Sequence, residues 1–290
     1  MKKTDLGEFL FSTLIYVFIT IIVAATLYPV LYVLSASISG SDAVLSGKVL
    51  LIPKDITMKA YRIVFDDTRI WTAYGNTLYY TITGVAVSLS LTVLGAYPLS
   101  KKRLVGRTFF SIFIALTMWF NAGIITTYLN FKSLNMLDNR AAIVIGFACS
   151  AFYIIMLRTF FQSIPDAMDE SAKIDGANDF QILWSIMLPL SIPALMTIGL
   201  YCTLDRWNGY FWTMVLIKSD AKMPLQVLLK KLVVEMSVNL ERMSAADVSS
   251  TSKETVTYAT IVISILPILV VYPFVQKFFV KGVMIGSVKG

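Results

Sequence analysis

The chain has 290 residues, of which 57% are hydrophobic and only 15% charged, with a formal net charge of +7 and no histidine. A water-soluble body of this size could not cover itself with so little charge without exposing large apolar patches, so the composition places the chain in lipid. The missing histidine excludes histidine-based acid–base catalysis and histidine-ligated metal sites, and the basic excess, which flanks apolar runs, suits anionic headgroups rather than nucleic acid.

A helix needs about 20 mainly apolar residues to cross roughly 30 Å of hydrocarbon. Six segments qualify in chain order: about 9–34, 74–99, 108–128, 141–161, 191–217 and 256–279. The first follows the basic Met1-Lys2-Lys3, as a signal peptide would. It is longer than the roughly 7–15-residue apolar core of a cleaved signal and is read as a retained span. Gly84, Gly95, Pro193 and Pro267 fall inside these segments, which membrane bundles tolerate because neighbouring helices re-satisfy the backbone. Cys149 and Cys202 lie in apolar runs and read as small buried hydrophobes. The expected fold class is an all-α membrane protein, one transmembrane domain over 1–290.

An even number of spans puts both termini on one side. Lys and Arg summed over all loops divide almost evenly, but short loops carry the orientation signal. The connection Lys101-Lys102-Arg103-Leu104-Val105-Gly106-Arg107 is basic with no acid, as is the tail, 276–290, with Lys277, Lys281 and Lys289. The long loops, about 35–73 and 218–255, mix both signs. The termini, the 101–107 connection and the 162–190 loop are therefore expected in the cytoplasm, and 218–255 outside.

The loop between spans four and five carries the strongest local signals. Ser163 and Asp166 have capping-box spacing, with Pro165 in a first-turn position, so a short helix should run to about Ile174. Asp175-Gly176 is a turn signal, because glycine accepts positive φ at a helix C-terminus. A second short helix, from about Asn178 to Met187, should stop before Pro189. The result is a helix–turn–helix at one membrane face.

Glu170, Ala172, Gly176, Ile186, Leu188 and Pro189 stand in the register of E-A-A-x-x-x-G-x(9)-I-x-L-P, with Ser171 where alanine is usual. This stretch resembles the EAA motif of ABC importer membrane subunits. The likeness extends along the chain to the maltose-type sugar importer family, through Tyr28-Pro29-Val30, Ile52-Pro53, Tyr61, Asn76, Arg158, Phe160-Phe161, Trp207-Asn208 and Phe279-Val280-Lys281-Gly282. Thr126 stands where that family often has proline, and the tail looks closest to subunits handling complex oligosaccharides.

The resemblance implies a type I importer permease fold in a bacterial plasma membrane. The implied partners are a second homologous membrane subunit, two ATP-binding subunits, an external solute-binding lipoprotein and a sugar. Residues 162–190 would be the coupling loop, with Glu170, Ser171, Ala172, Asp175, Gly176, Ile186, Leu188 and Pro189 serving ATPase docking. Glu170 could pair with a basic group on the ATPase or stand as a solvated charge. The chain has no G-x-x-x-x-G-K-[ST] phosphate loop; near Gly40–Lys48 the glycine spacing is wrong and Val49 replaces the hydroxyl residue. No cofactor is expected in this chain, and ATP and magnesium would be bound by the partner ATPase.

Span five is interrupted by Leu204-Asp205-Arg206-Trp207-Asn208-Gly209-Tyr210-Phe211-Trp212. Buried charges are costly and normally face a cavity or a partner. Asp205, Asn208 and Trp212 fall on one helical stripe, while the neighbours Asp205 and Arg206 point about 100° apart. Hydrogen-bonding groups beside aromatic rings suit sugars, so Asp205, Arg206, Trp207, Asn208, Tyr210 and Trp212 are candidates for the substrate path. Asp205-Arg206 departs from the neutral residues usual in the family, and Arg206 could serve an anionic sugar. Either residue could equally pair with the second subunit. A secondary transporter or channel is the rival function, but the chain shows no internal repeat of the kind such proteins carry.

Overall fold

The computed structural model describes residues 6–120, 122–240 and 253–287, and all their regular structure is helical. In chain order the helices are α1 (Leu6–Ser37), α2 (Ser41–Leu45), α3 (Lys59–Asp66), α4 (Thr68–Ser100), α5 (Arg107–Leu116) and α6 (Gly123–Ser133). Then come α7 (Arg140–Ile145), α8 (Ala151–Ser163), α9 (Asp166–Ile174), α10 (Asp179–Ile182), α11 (Leu188–Leu190), α12 (Ile192–Asn208), α13 (Phe211–Leu216), α14 (Leu225–Leu240) and α15 (Lys253–Ser287). A π-helical turn, Leu183–Met187, joins α10 to α11, and a 3-10 turn, Asp220–Lys222, precedes α14.

The chain forms two compact units. The first comprises Met1–Ile70 and Leu229–Leu266. Here α1 is apolar around its whole circumference, with Phe11, Leu14, Phe18 and Ile21 all exposed, the pattern of a helix solvated by lipid. Its C-terminal end is the buried part. Ala36 packs with Ala43, Val44 and Val49, Tyr32 meets Tyr258 edge-on at 5.8 Å, and Ser37 Oγ lies 2.9 Å from Tyr61 OH. The buried hydroxyls of Ser35 and Ser39 donate to the carbonyls of Leu51 and Ser35. The loop after the first span is thus folded back by hydrogen bonds.

The second unit comprises Trp71–Leu228 and Pro267–Gly290. Its core joins Ala96, Tyr97 and Leu99 of α4 to Ile154, Leu157 and Phe161 of α8 and to Ile198 and Cys202 of α12. Gly95 lets α4 approach α8 closely, since a Cβ there would sit 3.1 Å from Ile154 Cδ1. Cys202 is buried, as expected, but Cys149 is exposed, because it falls in the break between α7 and α8 rather than inside a helix.

Long helices cover the first, second and sixth expected spans: α1, α4, and α15, which passes Pro267 and Pro273 without a break. Among the described residues α1 and α4 meet the length and hydropathy of a single-helix span, and the run Asp179–Leu190 with α12 forms a further candidate bent by 80° at Ser191. The third, fourth and fifth expected segments are each divided, after Leu116, after Ile145 and after Asn208. Two breaks fall at glycines the backbone needs. A Cβ on Gly146 would lie 2.4 Å from both the Ala142 carbonyl and the Phe131 ring, and one on Gly209 would lie 2.8 Å from the Asp205 carbonyl. The break in segment three precedes Gly123, whose φ is +78°, while Thr126 lies inside unbroken α6.

Gly146→Ala should therefore destabilise the protein by about 1–3 kcal/mol through overpacking, read as a lowered melting temperature in detergent. Gly75→Ala, in α4 with nothing within 4 Å of the added Cβ, should leave the melting temperature unchanged or raise it.

Candidate functional site

The loop of 162–190 folds as two helices around a tight turn, with local chemistry that differs in part from expectation. Ser163 does not cap α9. It belongs to the last turn of α8, where its hydroxyl donates to Phe160 O at 2.7 Å, and Pro165 occupies the N-cap with no side-chain cap. The C-terminal end follows the sequence closely. Gly176 has φ +82°, its N–H donates to Lys173 O at 3.0 Å, and Ala177 N–H donates to Ala172 O at 2.9 Å. These two bonds are the Schellman pattern, which only a residue at ease with positive φ completes.

After the turn, Asn178 and Gln181 form a reciprocal capping box that opens α10. The run does not stop before Pro189. The turn widens to π geometry, with Leu188 N–H reaching Leu183 O, and helix continues through Pro189 to Leu190. A π turn shifts the hydrogen-bond ladder just where proline has no N–H to contribute.

The loop is seated by its apolar side. Ala172, Ile182, Leu183 and Met187 are buried in the α4–α8–α12 core, and Ile186 and Leu188 pack against it. Ala172, at 7% exposure, thus faces the chain's own interior. The outward face of α9 carries Glu170, which is exposed and whose carboxylate bonds to no described residue, and Ile174 at 86% exposure beside Asp175 and Gly176. Ser171 and Pro189 are also exposed.

Ion pairs that sequence reasoning missed fasten this loop to the basic connection after α4. Lys101 Nζ lies 2.6 Å from Asp169 Oδ1 with both side chains largely buried, Lys102 pairs with Asp166 at 2.6 Å, and Arg103 pairs with Asp179. Lys173 holds the other Asp169 oxygen at 2.6 Å. Asp169 is partly desolvated, which alone would raise its pKa, but the two lysines outweigh this and lower it. The available signal was complementarity: an acid-free basic run, and a loop whose acids recur at 166, 169 and 179.

A second polar cluster joins 135–140 to 218–223. Asp138, at φ +53°, accepts from the N–H groups of Lys218 and Ser219 at 3.0 and 2.9 Å, and its Oδ2 lies 2.8 Å from Lys222 Nζ. The Lys222 hydrogen bond, followed by that from Ser219, holds its pKa down at about 2. Asn76 accepts from Arg140 at 2.8 Å and donates to the carbonyls of Ala221 and Met223.

The expected stripe on span five is bent rather than straight. Helix α12 ends at Asn208, Gly209 is extended, and Trp212 lies on α13. The bend still brings Asp205, Arg206, Asn208, Tyr210 and Trp212 around one half-open cavity of about 400 Å³, joined by Tyr80 and Phe147. Trp212 stacks on Phe147 at 5.3 Å, and Asp205 accepts from Tyr153 OH at 2.5 Å. Trp207 is not brought to this cavity. It is buried, meets Tyr74 edge-on at 5.9 Å, and lines a separate, mainly apolar cavity of about 440 Å³ with Leu78, Ile82 and Pro267.

Arg206 has a specific partner within its own chain. Its guanidinium donates to the Ile143 carbonyl, to the Val144 carbonyl at 3.3 Å and to Ser88 Oγ at 3.3 Å, lying against Gly84, where a Cβ would be 3.0 Å from Nε. Helix α7 ends at Ile145, so its last carbonyls lack helical donors. Gly146 N–H serves Ala142 O and Ala148 N–H serves Ile145 O. Arg206 supplies the two between. Gly84 and Ser88, one helical turn apart, were the sequence signal for this seat.

A helical chain with an apolar first helix, broken apolar segments lining a polar cavity, and a tightly capped surface loop is a membrane transport component. Residues 84–285 match the family described as binding-protein-dependent transport system inner membrane component, and the chain belongs to that family. It is 40% identical over 282 residues to the polygalacturonan/rhamnogalacturonan transport system permease protein YtcP of Bacillus subtilis, covering 97% of this chain and 99% of that protein. It is 35% identical to protein LplC of the same organism, covering 100% and 98%. Among solved structures it is similar to a bacterial ABC transporter involved in the import of the acidic polysaccharide alginate, with 49% identity, TM-score 0.89, and 96% and 100% of the two chains covered. Family membership separates the chain from the secondary-transporter reading.

Because Arg206 caps α7, Arg206→Gln should strand two carbonyls at roughly 1–3 kcal/mol each. The expected result is lower yield and melting temperature of the chain alone in detergent, before any transport defect is read. A variant of unchanged stability that loses only transport of charged cargo would assign Arg206 to the cargo instead.

Proposed function

We propose that the chain is one of two membrane subunits of an ATP-driven importer that takes acidic oligosaccharides from an external binding protein. The observation that carries this reading is its near full-length likeness to a chain of the alginate transporter. Six spans with both termini in the cytoplasm fit the short-loop charges. The polar clusters support this alternation, because 101–103 is tied to 166–179 while 138–140 is tied to 76 and 218–223.

On this reading a separate pair of subunits binds ATP and magnesium and hydrolyses the nucleotide. The outward face of α9 docks on them, with Glu170 offering a charge and Ile174 an apolar knob. Ala172, Ile186 and Leu188 hold the loop to the α4–α8–α12 core from beneath, so that a push on α9 moves helices rather than a flap. Asp175 and Gly176 shape the turn, with Ser171 and Pro189 on the exposed side. Sugar passes the cavity around Asp205, Asn208, Tyr210 and Trp212, where aromatic faces meet C–H surfaces and polar groups meet hydroxyls. The 218–255 segment lies outside, toward the binding protein.

In proteoliposomes holding the full complex, uptake of an acidic oligosaccharide should require ATP and the loaded binding protein, and the isolated chain should hydrolyse no ATP. Gly176→Pro cannot adopt the φ that the Schellman turn requires, so it should abolish uptake while the chain still inserts. Uptake without ATP, or normal uptake by the variant, would refute the proposal.

Orientation is tested separately in a Cys149→Ser background, since Cys149 is exposed. Ser46→Cys should react with an impermeant thiol reagent from outside and Gly106→Cys should not; the opposite pattern would invert the topology.

A further inference from the structure

The corner where α5 begins beside the end of α8 holds two positive charges without a negative one. Gln162, with its amide oriented to satisfy both neighbours, accepts from Arg107 Nη2 at 2.8 Å and from Arg158 Nε at 3.2 Å. Both arginines are half-buried, and no carboxylate of a described residue lies within 4 Å of either. The nearby acids are committed elsewhere: Asp166 to Lys102, Asp169 to Lys101 and Lys173, and Asp179 to Arg103. Glu170 lies on the wall of the same cavity as Arg107 but beyond ion-pair distance. Among the described residues, one neutral amide oxygen is the acceptor that the two full charges share.

Two guanidiniums held this close repel each other, and partial burial strengthens the repulsion by removing the water that would screen it. An arrangement of this kind is completed by an anion, and a phosphate matches paired guanidinium forks best. Arg107 and Gln162 also border a half-open cavity of about 540 Å³ with Lys101, Lys102 and Arg103, which is room for a headgroup. The helix that leads away from the corner is apolar and uncovered. Phe109, Phe110 and Phe113 of α5 are 67%, 48% and 59% exposed, and Phe109 stacks on Phe113 at 6.3 Å. A cationic corner at the foot of an exposed aromatic helix face has the polarity of a phospholipid, with phosphate below and acyl chains alongside.

We propose that Arg107 and Arg158 together bind the phosphate of an anionic phospholipid whose acyl chains lie along the Phe109–Phe113 face of α5. The site is distinct from the cavity of span five and from the exposed face of α9. It tethers the start of α5 and the end of α8 to one lipid molecule, directly beneath the loop that α8 feeds.

The test is native mass spectrometry of the purified full complex after mild delipidation, with phosphatidylglycerol or phosphatidylcholine added back. Wild type should retain one phosphatidylglycerol in preference to phosphatidylcholine. Gln162→Glu places a carboxylate between the two guanidiniums and should weaken retention about tenfold or more, the loss of a charge-assisted phosphate contact, with the melting temperature of the delipidated complex held or raised. Arg107→Gln with Arg158→Gln should lose the lipid as well, whereas Arg107→Lys with Arg158→Lys should keep part of it. Unchanged retention in Gln162→Glu, equal retention of phosphatidylcholine, or displacement of the lipid by excess inorganic phosphate would each overturn the proposal, the last by showing a site for a soluble anion.

Discussion

Every helix that breaks within an apolar slab leaves carbonyls and N–H groups that water cannot reach, and the second unit is organised around meeting that demand. Its third, fourth and fifth apolar segments are each divided, and at the fourth the required donors come from another helix. Arg206 reaches from α12 past Gly84 and Ser88 of α4 to the carbonyls of Ile143 and Val144 at the end of α7. That contact satisfies two carbonyls that the end of α7 leaves open beside Gly146. The charge of Arg206 is therefore tied first to the chain's own backbone, beside the cavity that it borders.

The same economy governs the two polar ends of this unit. At one, the basic connection 101–103 neutralises Asp166, Asp169 and Asp179, so the loop of 162–190 is attached to α4 as well as to the helices it joins in sequence. The exposed pairs contribute little individually, of order 0–1 kcal/mol. Lys101–Asp169 is shielded and shared with Lys173, and it carries more of the geometry. At the other end Asp138 and Asn76 do equivalent work with backbone N–H and carbonyl groups. On the proposed docking, a load applied to α9 would enter α4, α8 and α12 together through a buried apolar seat with an ionic rim.

How far the sequence could be read depended on the range of the interaction. Gly176 announced its turn because positive φ is a local property, and Asn178 with Gln181 followed for the same reason. The apolar segments were legible because hydropathy sums along the chain. The breaks inside them were not, since Thr117-Met118-Trp119-Phe120 is as apolar as a continuous helix would be. Ser163 had the right spacing for a cap but was claimed by the helix before it. Trp207 sat next to the cavity residues in sequence but meets Tyr74 and lines a separate cavity, since neighbouring helix positions point about 100° apart. Arg206 was legible as an anomaly; its partners, 62, 63 and 118 residues away, were not.

On the proposed function, this placement of charge bears on how an acidic cargo would move. A freely exposed guanidinium in the path would bind a carboxylated sugar strongly and hold it, whereas conduction needs sites weak enough to release what they admit. With Arg206 engaged by two carbonyls and a hydroxyl, the cavity presents Asp205, itself held by Tyr153, together with Asn208, Tyr210 and the Trp212–Phe147 stack. On the proposed function such a lining would grip the apolar faces and hydroxyls of a sugar more than its charge. On that reading selection for charge would fall to the protein that delivers the cargo, and the membrane path would be shaped by ring size and stacking.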